Sequence, residues 1–513
     1  MSRYKQMPMP PSQMMLFGQS VEEALPKDSD VQAFRDVMDC LDYRDMESKC
    51  SATGAPPYPP EVMVKILGYA YSKGIRSSRS IECALNVDVR FIWLAGGLKP
   101  DHNTLARFRK DNGEELKELF KDSVRVCCES GLVFLNTVSV DGTKIVAAAS
   151  RKRVYSQLRV DREMARVDKI LQEAEEVDQA EDAQEAAGQG NEIPERLRDA
   201  KERKAKLAKI ADQLRESKRK AVVASEPESR VMMTGELKRP AYNLQAAVDG
   251  GSQVIVAMKL TDAENDHGLL PEMVEEVESN TGMSPDASLA DTGYCDESTL
   301  KWVEESGHEV LLPSQEHPEE SKRTDRFASR HFVHDSERDV LICPEGQDLA
   351  FMGESRMGSG TYRRYAANGC QNCPFYRKCV PTGRGSRRVN VSIVADVRNK
   401  MLEKLRTPEG KELYDLRRET VEPVFGQMKS NLGFDRFLLK GREGASAEAA
   451  LMCMVHNVAK CAANANSRAY LAQAKAYQVA ACLFLILLFI LVARPARLRC
   501  HASPPLNRCC SRF

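Results

Sequence analysis

The sequence predicts an α/β protein: a mixed sheet flanked by helices, preceded by an all-helical domain and interrupted by an inserted helical hairpin and an inserted cysteine-containing segment. Three observations lead there. Two β-branched or apolar runs stop at an acid followed by a glycine turn, at Thr137-Val138-Ser139-Val140-Asp141-Gly142 and at Ala287-Ser288-Leu289-Ala290-Asp291-Thr292-Gly293, as strands do at their exits. Ala241 to Val248 and Gln253 to Leu260 alternate about Asp249-Gly250-Gly251, the pattern of a β-hairpin. Between and before these runs, apolar residues recur at helical spacing.

The elements divide the chain into a tail (1–30), a helical domain (31–125), a catalytic-type core (132–465) and a second tail (466–513). In the helical domain, Val62, Met63, Ile66, Leu67 and Ala70 follow Pro59-Pro60, which suits a helix start. Gly74 ends that helix, Ser77 or Ser78 can cap the next, and a third begins near Pro100-Asp101-His102. Short helices bearing Arg76, Arg79, Arg107, Arg109 and Lys110 can form a helix-turn-helix-like DNA reader or a plain bundle with solvated cations.

The stretch from Asp141 to Asp291 is too long for the remaining strands of a small sheet, so residues 155–228 read as an insertion. Met164, Val167, Leu171 and Ala174 mark one apolar seam, and Leu197, Ala200, Leu207, Ala211 and Leu214 another, with Gly188, Gly190 and Pro194 between them. That is an antiparallel helical hairpin. Asp266 and His267 then lie in a loop before the helix Leu269 to Val277, where they can approach the site of the core acids, although a lone histidine beside a helix start is more often structural. A second insertion, 305–390, holds Cys343, Cys370, Cys373 and Cys379, four thiols with one CxxC pair that can bind structural Zn²⁺ or stay as buried free cysteines. Arg384, Arg387 and Arg388 follow as phosphate-contacting candidates.

Composition sets bounds without naming a function. With 513 residues, 42% hydrophobic and 29% charged, the chain can bury a large core in two or three domains. Its 74 basic and 74 acidic residues cancel, so DNA contacts have to come from local patches. Sixteen irregularly spaced cysteines and no secretory signal point to a reducing, cytoplasmic setting. The apolar run Val479 to Ala493, with Arg494, Arg497 and Arg499 after it, is short against the about 17–25 residues of a spanning helix.

Asp141 and Asp291 are strand-end acids that can face each other. Glu422, in Arg417-Arg418-Glu419-Thr420-Val421-Glu422-Pro423-Val424-Phe425-Gly426-Gln427-Met428-Lys429, has the spacing of a helix laid against the sheet, with Pro423 near its start or kinking it. Three carboxylates suit Mg²⁺, which prefers hard oxygen ligands; paired ions about 3.5–4 Å apart serve phosphoryl displacement.

The chain resembles the DDE transposases of bacterial insertion sequences. The likeness rests on Val140-Asp141-Gly142-Thr143-Lys144, on Ala290-Asp291-Thr292-Gly293-Tyr294, and on Val421-Glu422-Pro423-Val424-Phe425-Gly426-Gln427-Met428-Lys429, spanning roughly residues 30 to 465. It implies an RNase H-like core in which Asp141, Asp291 and Glu422 hold two Mg²⁺ or Mn²⁺ ions, and an N-terminal domain that binds DNA. The family places an arginine four residues before the glutamate and a lysine seven after it, and Arg418 and Lys429 fit as phosphate contacts. Tyr414 stands three residues before Arg417 and four before Arg418, so either arginine can play the family's part. The resemblance further implies double-stranded DNA partners, namely terminal inverted repeats and target DNA, a homodimer on DNA, and no membrane. An inactive DNA-binding relic, an RNase H-like nuclease that does not join ends, and a membrane-associated coiled-coil scaffold are the rival readings.

Overall fold

The computed structural model describes residues 21–23, 25, 29–50, 57–182, 195–313, 327–328, 331–335, 337–357, 360–380 and 384–473. The apolar run Val479 to Ala493 and most of the first tail lie outside these residues. Among the described residues no helix is long and apolar enough to cross a membrane.

Among the described residues seven helices come first: α1 Asp30–Met38, α2 Arg44–Ser48, α3 Pro60–Ser72, α4 Ser78–Val87, α5 Val89–Leu94, α6 His102–Asp111 and α7 Gly113–Glu129. Pro60 opens α3 and Gly74, at φ +71°, turns the chain after it. Asp101 caps α6, its carboxylate accepting from the Thr104 amide at 2.6 Å.

The main sheet is built from β1 Val138–Val146, β4 Arg230–Thr234, β5 Leu237–Asp249, β6 Ile255–Thr261, β7 Ser288–Ala290 and β8 Val310–Leu311. β5 pairs antiparallel with β1 on one edge and with β4 and β6 on the other; β1, β7 and β8 run parallel. The hairpin turn between β5 and β6 is held by Asp249, fully buried, which accepts from the amides of Leu135, Gly251 and Ser252 and from the Ser252 hydroxyl. Such charge-assisted bonds are what make burial of a carboxylate tolerable.

Between β1 and β4 stand β2 Val154–Ser156, α8 Gln157–Asp182, α9 Glu195–Ser217 and β3 Ala221–Val223. Val160 packs with Ala211 and Leu214, and Val167 with Leu207 and Ala200, so α8 and α9 run in opposite directions along the seams read from the sequence. β2 and β3 pair antiparallel at the base.

α10 Leu269–Thr281 and α11 Glu297–Ser306 flank β6 to β8. After β8 a second antiparallel sheet of β9 Val333–Asp335, β10 Val340–Ile342, β11 Asp348–Met357, β12 Gly360–Ala367 and β13 Arg388–Ser392 forms around its own small core of Phe332, Leu341, Leu349, Tyr365 and Val389. The sequence reading had only a cysteine-containing segment here; β9 and β10 are too short, and the longer β11 and β12 too polar, for a clear period. The short helix α12 Tyr376–Cys379 lies between β12 and β13, and α13 Ala395–Arg406, α14 Pro408–Gly426 and α15 Gly441–Ala463 follow.

α14 lies against β1, β5 and β7, whereas α15 packs on α1, α3, α7 and β6. One continuous apolar core therefore runs from Leu25 to Leu471, joining the N-terminal helices to the main sheet. Two polar devices fix that junction. Asn457 of α15 accepts from the Ile255 amide and donates to its carbonyl, both at 2.9 Å, so a side chain imitates a strand partner for β6. Arg76 pairs with fully buried Glu448 at 2.7 Å and donates to the carbonyls of Gly433 and Arg436.

Pro423 lies inside α14, near its C-terminal end, where the sequence reading had it near a helix start or at a kink. Proline cannot bond the carbonyl four residues back, Glu419 O. Gln253, from the β5–β6 turn, supplies the donor with its Nε2 at 2.9 Å. The same residue accepts from Lys460 on its side-chain oxygen and bonds His456 Nε2 through its carbonyl. After Gly426 the helix widens into a π turn, Gln427–Asn431.

Candidate functional site

β1 delivers Asp141 from its interior, where the sequence reading had placed the acid at a strand exit. Gly142 continues the strand, paired with Gln245, because its missing side chain leaves room on a crowded face. A Cβ there would strike Gln245 Nε2 and come within 2.7 Å of Asp266 Oδ1 and 2.8 Å of Asn243 Oδ1. β7 does end as expected: Asp291 follows Ala290 and caps the 3₁₀ turn Thr292–Tyr294, accepting from the Gly293 amide at 2.7 Å.

Arg417 of α14 joins the two acids. Its guanidinium lies 2.9 Å from Asp141 and 3.9 Å from Asp291, and its side chain is only 10% exposed. The sequence pattern favoured Arg418, which is exposed; the tyrosine three residues before Arg417 is the signal that identifies the inward arginine. Tyr414 is half-buried in the same electrostatic neighbourhood, and burial raises its phenol above the usual range. Burial also pushes the Asp141 carboxyl up to about 6, against the pull of Arg417 and the Gly142 amide and with the repulsion of Asp291 and Asp266.

Glu422 is exposed on α14, four residues and thus one turn beyond Arg418 on the same stripe. Lys429 reaches back to β1, donating to the Lys144 carbonyl at 3.0 Å; burial lowers its ammonium below the usual range, opposed by Asp435 and Asp141. Asp266 enters the site from the loop after β6, whereas His267 turns to Asp296 at 3.9 Å. Asn243 and Gln245, which the sequence reading did not single out, bond Asp266, and Tyr294 of the second motif bonds Gln245. The two amides are the polar, alternating positions of an otherwise apolar strand, and that was the available signal.

The donor set suits a hard divalent cation. All candidate donors are oxygens, and a cationic guanidinium already bridges two of the carboxylates. Asn243 Oδ1 is buried without a partner. Among the described residues no three His, Cys, Asp or Glu side chains are gathered into a group that could hold a metal as they stand. At Asp141 and Asp291 the Arg417 guanidinium supplies the positive charge in this arrangement.

The four insertion cysteines line one cavity of about 430 Å³, and the Gln347 and Arg387 amides point at Cys343 and Cys370 sulfurs at 3.3 and 3.5 Å. They too do not form a coordinating group in this arrangement, so the zinc expectation gains a shared cavity and no ligand geometry.

Of the proposed DNA contacts, two are corrected. Arg76 is 9% exposed and held by Glu448, and Arg109 is 5% exposed and donates to Tyr71, Ser78 and the Arg76 carbonyl. Both are internal ties, unavailable to phosphate. Arg79, Arg107 and Lys110 are exposed.

Comparison with protein families finds two matches. A family described as a transposase DDE domain matches residues 342–462, which include Arg417, Glu422 and Lys429 but not Asp141 or Asp291. A second, described as a transposase domain (DUF772), matches residues 19–111, the N-terminal helices. No curated protein matches the chain.

Proposed function

Since the chain is by these two matches a DDE transposase of the insertion-sequence type, we propose that it cuts DNA at the ends of its element and joins the freed 3′ ends to target DNA. The observation that carries this reading is the Arg417 bridge. It brings together an acid from β1, an acid after β7 and the helix that bears Glu422.

The strand pattern, an antiparallel β5–β6 hairpin beside parallel β1, β7 and β8, supports an RNase H-like core. In this reading Asp141, Asp291 and Glu422 hold two Mg²⁺ or Mn²⁺ ions. When bound, the ions supply Lewis-acid stabilisation of the attacking and leaving oxygens in phosphoryl displacement. With those carboxylates engaged by metal, the Arg417 guanidinium would be free to pair with a DNA phosphate, for which its planar fork is suited. Arg418, on the exposed flank beside Glu422, and the partly buried Lys429 contact the same strand. Arg79, Arg107 and Lys110 hold duplex DNA on the N-terminal helices, where each cation that meets a phosphate adds a salt-dependent increment of affinity. The enzyme works as a homodimer on paired ends, in the cytoplasm at the nucleoid.

The test uses a labelled oligonucleotide carrying the element's terminal repeat, with Mg²⁺ or Mn²⁺. Wild type nicks and joins; Asp141→Asn, Asp291→Asn and Glu422→Gln bind the DNA but do neither. Binding without cutting by wild type identifies an inactive relic, and cutting without joining identifies a nuclease.

A further inference from the structure

Asp266 follows β6 in a loop and is held from one side only. Its Oδ1 accepts from Asn243 Nδ2 at 2.8 Å and from Gln245 Nε2 at 2.7 Å. The two amides alternate on β5 and so share one face of the sheet. Gln245 is fixed in turn by the buried Tyr294 hydroxyl, three residues beyond Asp291. The carboxylate is thereby oriented, with its second oxygen toward Asp291: a Cβ on Gly293 would lie 3.3 Å from Asp266 Oδ2 and 2.8 Å from Asp291 Oδ1.

A second observation points to a ligand. Asn243 is 1% exposed, and its Oδ1 faces the gap beside Gly142 without any donor. A buried acceptor left unmade is destabilising, and a neighbouring ionised carboxylate cannot relieve it. A cation can. The charge count agrees: Asp141, Asp266 and Asp291 stand near one another against the guanidinium of Arg417 and the more distant ammonium of Lys429, which leaves a net negative charge.

We propose that Asp266 is a further metal-binding carboxylate of this site, oriented by Asn243 and Gln245 so that it ligates a divalent cation together with Asp291. The proposal rests on the metal-dependent reading above and adds an acid to the three of the DDE set. It also explains why positions 142 and 293 are glycines, since a side chain at either would intrude among the ligands.

The experiment measures Mn²⁺ binding to the full chain without DNA, by calorimetry and electron paramagnetic resonance, alongside thermal melting of the metal-free protein. Asp266→Asn is expected to weaken Mn²⁺ binding at least tenfold, as Asp141→Asn does, while Glu264→Gln, an exposed acid two residues away, keeps wild-type affinity. Metal-free melting stays close to wild type for Asp266→Asn and Glu264→Gln, and Asp141→Asn stays folded. Should Asp266→Asn not fold, Asp266→Ser is read in the same way. Wild-type affinity in a folded Asp266 variant, with Asp141→Asn impaired, overturns the proposal and leaves the metal site standing. Failure of wild type to bind Mn²⁺ overturns both.

Discussion

Lowering the pH sets two buried groups against each other. Asp141 has its carboxyl raised from the usual 3.8 to about 6, chiefly by burial, so the unfolded chain ionises first as pH rises. Its contribution to stability is intact below pH 3.8 and is lost as pH climbs through 6, by about 3 kcal/mol in all at 1.36 kcal/mol per pH unit. His456, bonded to the Gln253 carbonyl, has its imidazole lowered by burial from 6.5 to about 4. Its contribution is intact above pH 6.5 and is lost as pH falls through 4, by a similar amount, about 3 kcal/mol. The two dependences oppose each other over nearly the same window, and wild type should show little net slope from them. Asp141→Asn removes one and exposes the other. Relative to wild type, the variant should gain roughly 2–3 kcal/mol near pH 7 over its standing near pH 4, less what is lost by leaving Arg417 with Asp291 alone. Urea denaturation in the presence of a chelator, followed by circular dichroism at about pH 4, 5.5 and 7, reads the difference between the two proteins at each pH. A difference that is constant across the window would refute a buried Asp141 beside Asp291. Saturating Mn²⁺ should hold Asp141 ionised and remove the wild-type part of the slope.

Other outcomes follow from the same contacts. Gly142→Ala forces a methyl among Gln245, Asn243 and Asp266 and should cost about 1–3 kcal/mol in denaturant unfolding, with weakened Mn²⁺ binding. Arg76→Ala strands the buried Glu448 carboxylate and should destabilise by about 3–5 kcal/mol. Arg107→Ala and Lys110→Ala should leave melting unchanged and lower DNA affinity, each reducing the salt-dependence slope by about 1; unchanged slopes would remove these helices from the interface. Gln253→Ala should loosen the Pro423 region by about 1 kcal/mol, seen as faster amide hydrogen exchange in α14 near Glu419.

Local pattern reached some of these features and not others. The α8–α9 seams and the β5–β6 hairpin were legible because apolar period and turn residues act over a few positions. Asp291 was legible because a strand, an acid and a glycine stand together in the chain. Arg76 and Arg109 were misread because an arginine on a short helix looks the same in sequence whether it meets solvent or a carboxylate on α15, far along the chain. Gly142 was read as a turn when its cause is steric: three side chains from β5 and the loop after β6 occupy its open face. Asp266 could be placed in the neighbourhood by its loop, but the amides that orient it come from the pleat of β5, which only the strand register exposes. The second sheet was missed because β9 and β10 are too short to carry a period.

The shared core between the N-terminal helices and the main sheet acts as a ruler. Asn457 ties α15 to β6 and Arg76 ties the turn before α4 to Glu448 of α15, so the exposed cations of α4 and α6 are packed into the same core as the sheet that carries Asp141 and Asp291. If those helices grip the element end as proposed, the offset between the gripped sequence and the cut phosphate is a dimension of the folded chain. One base pair added between them moves the target phosphate by about 3.4 Å along the helix axis, more than a carboxylate site can follow. Element ends served by this protein should therefore keep that spacing fixed even where the bases within it vary.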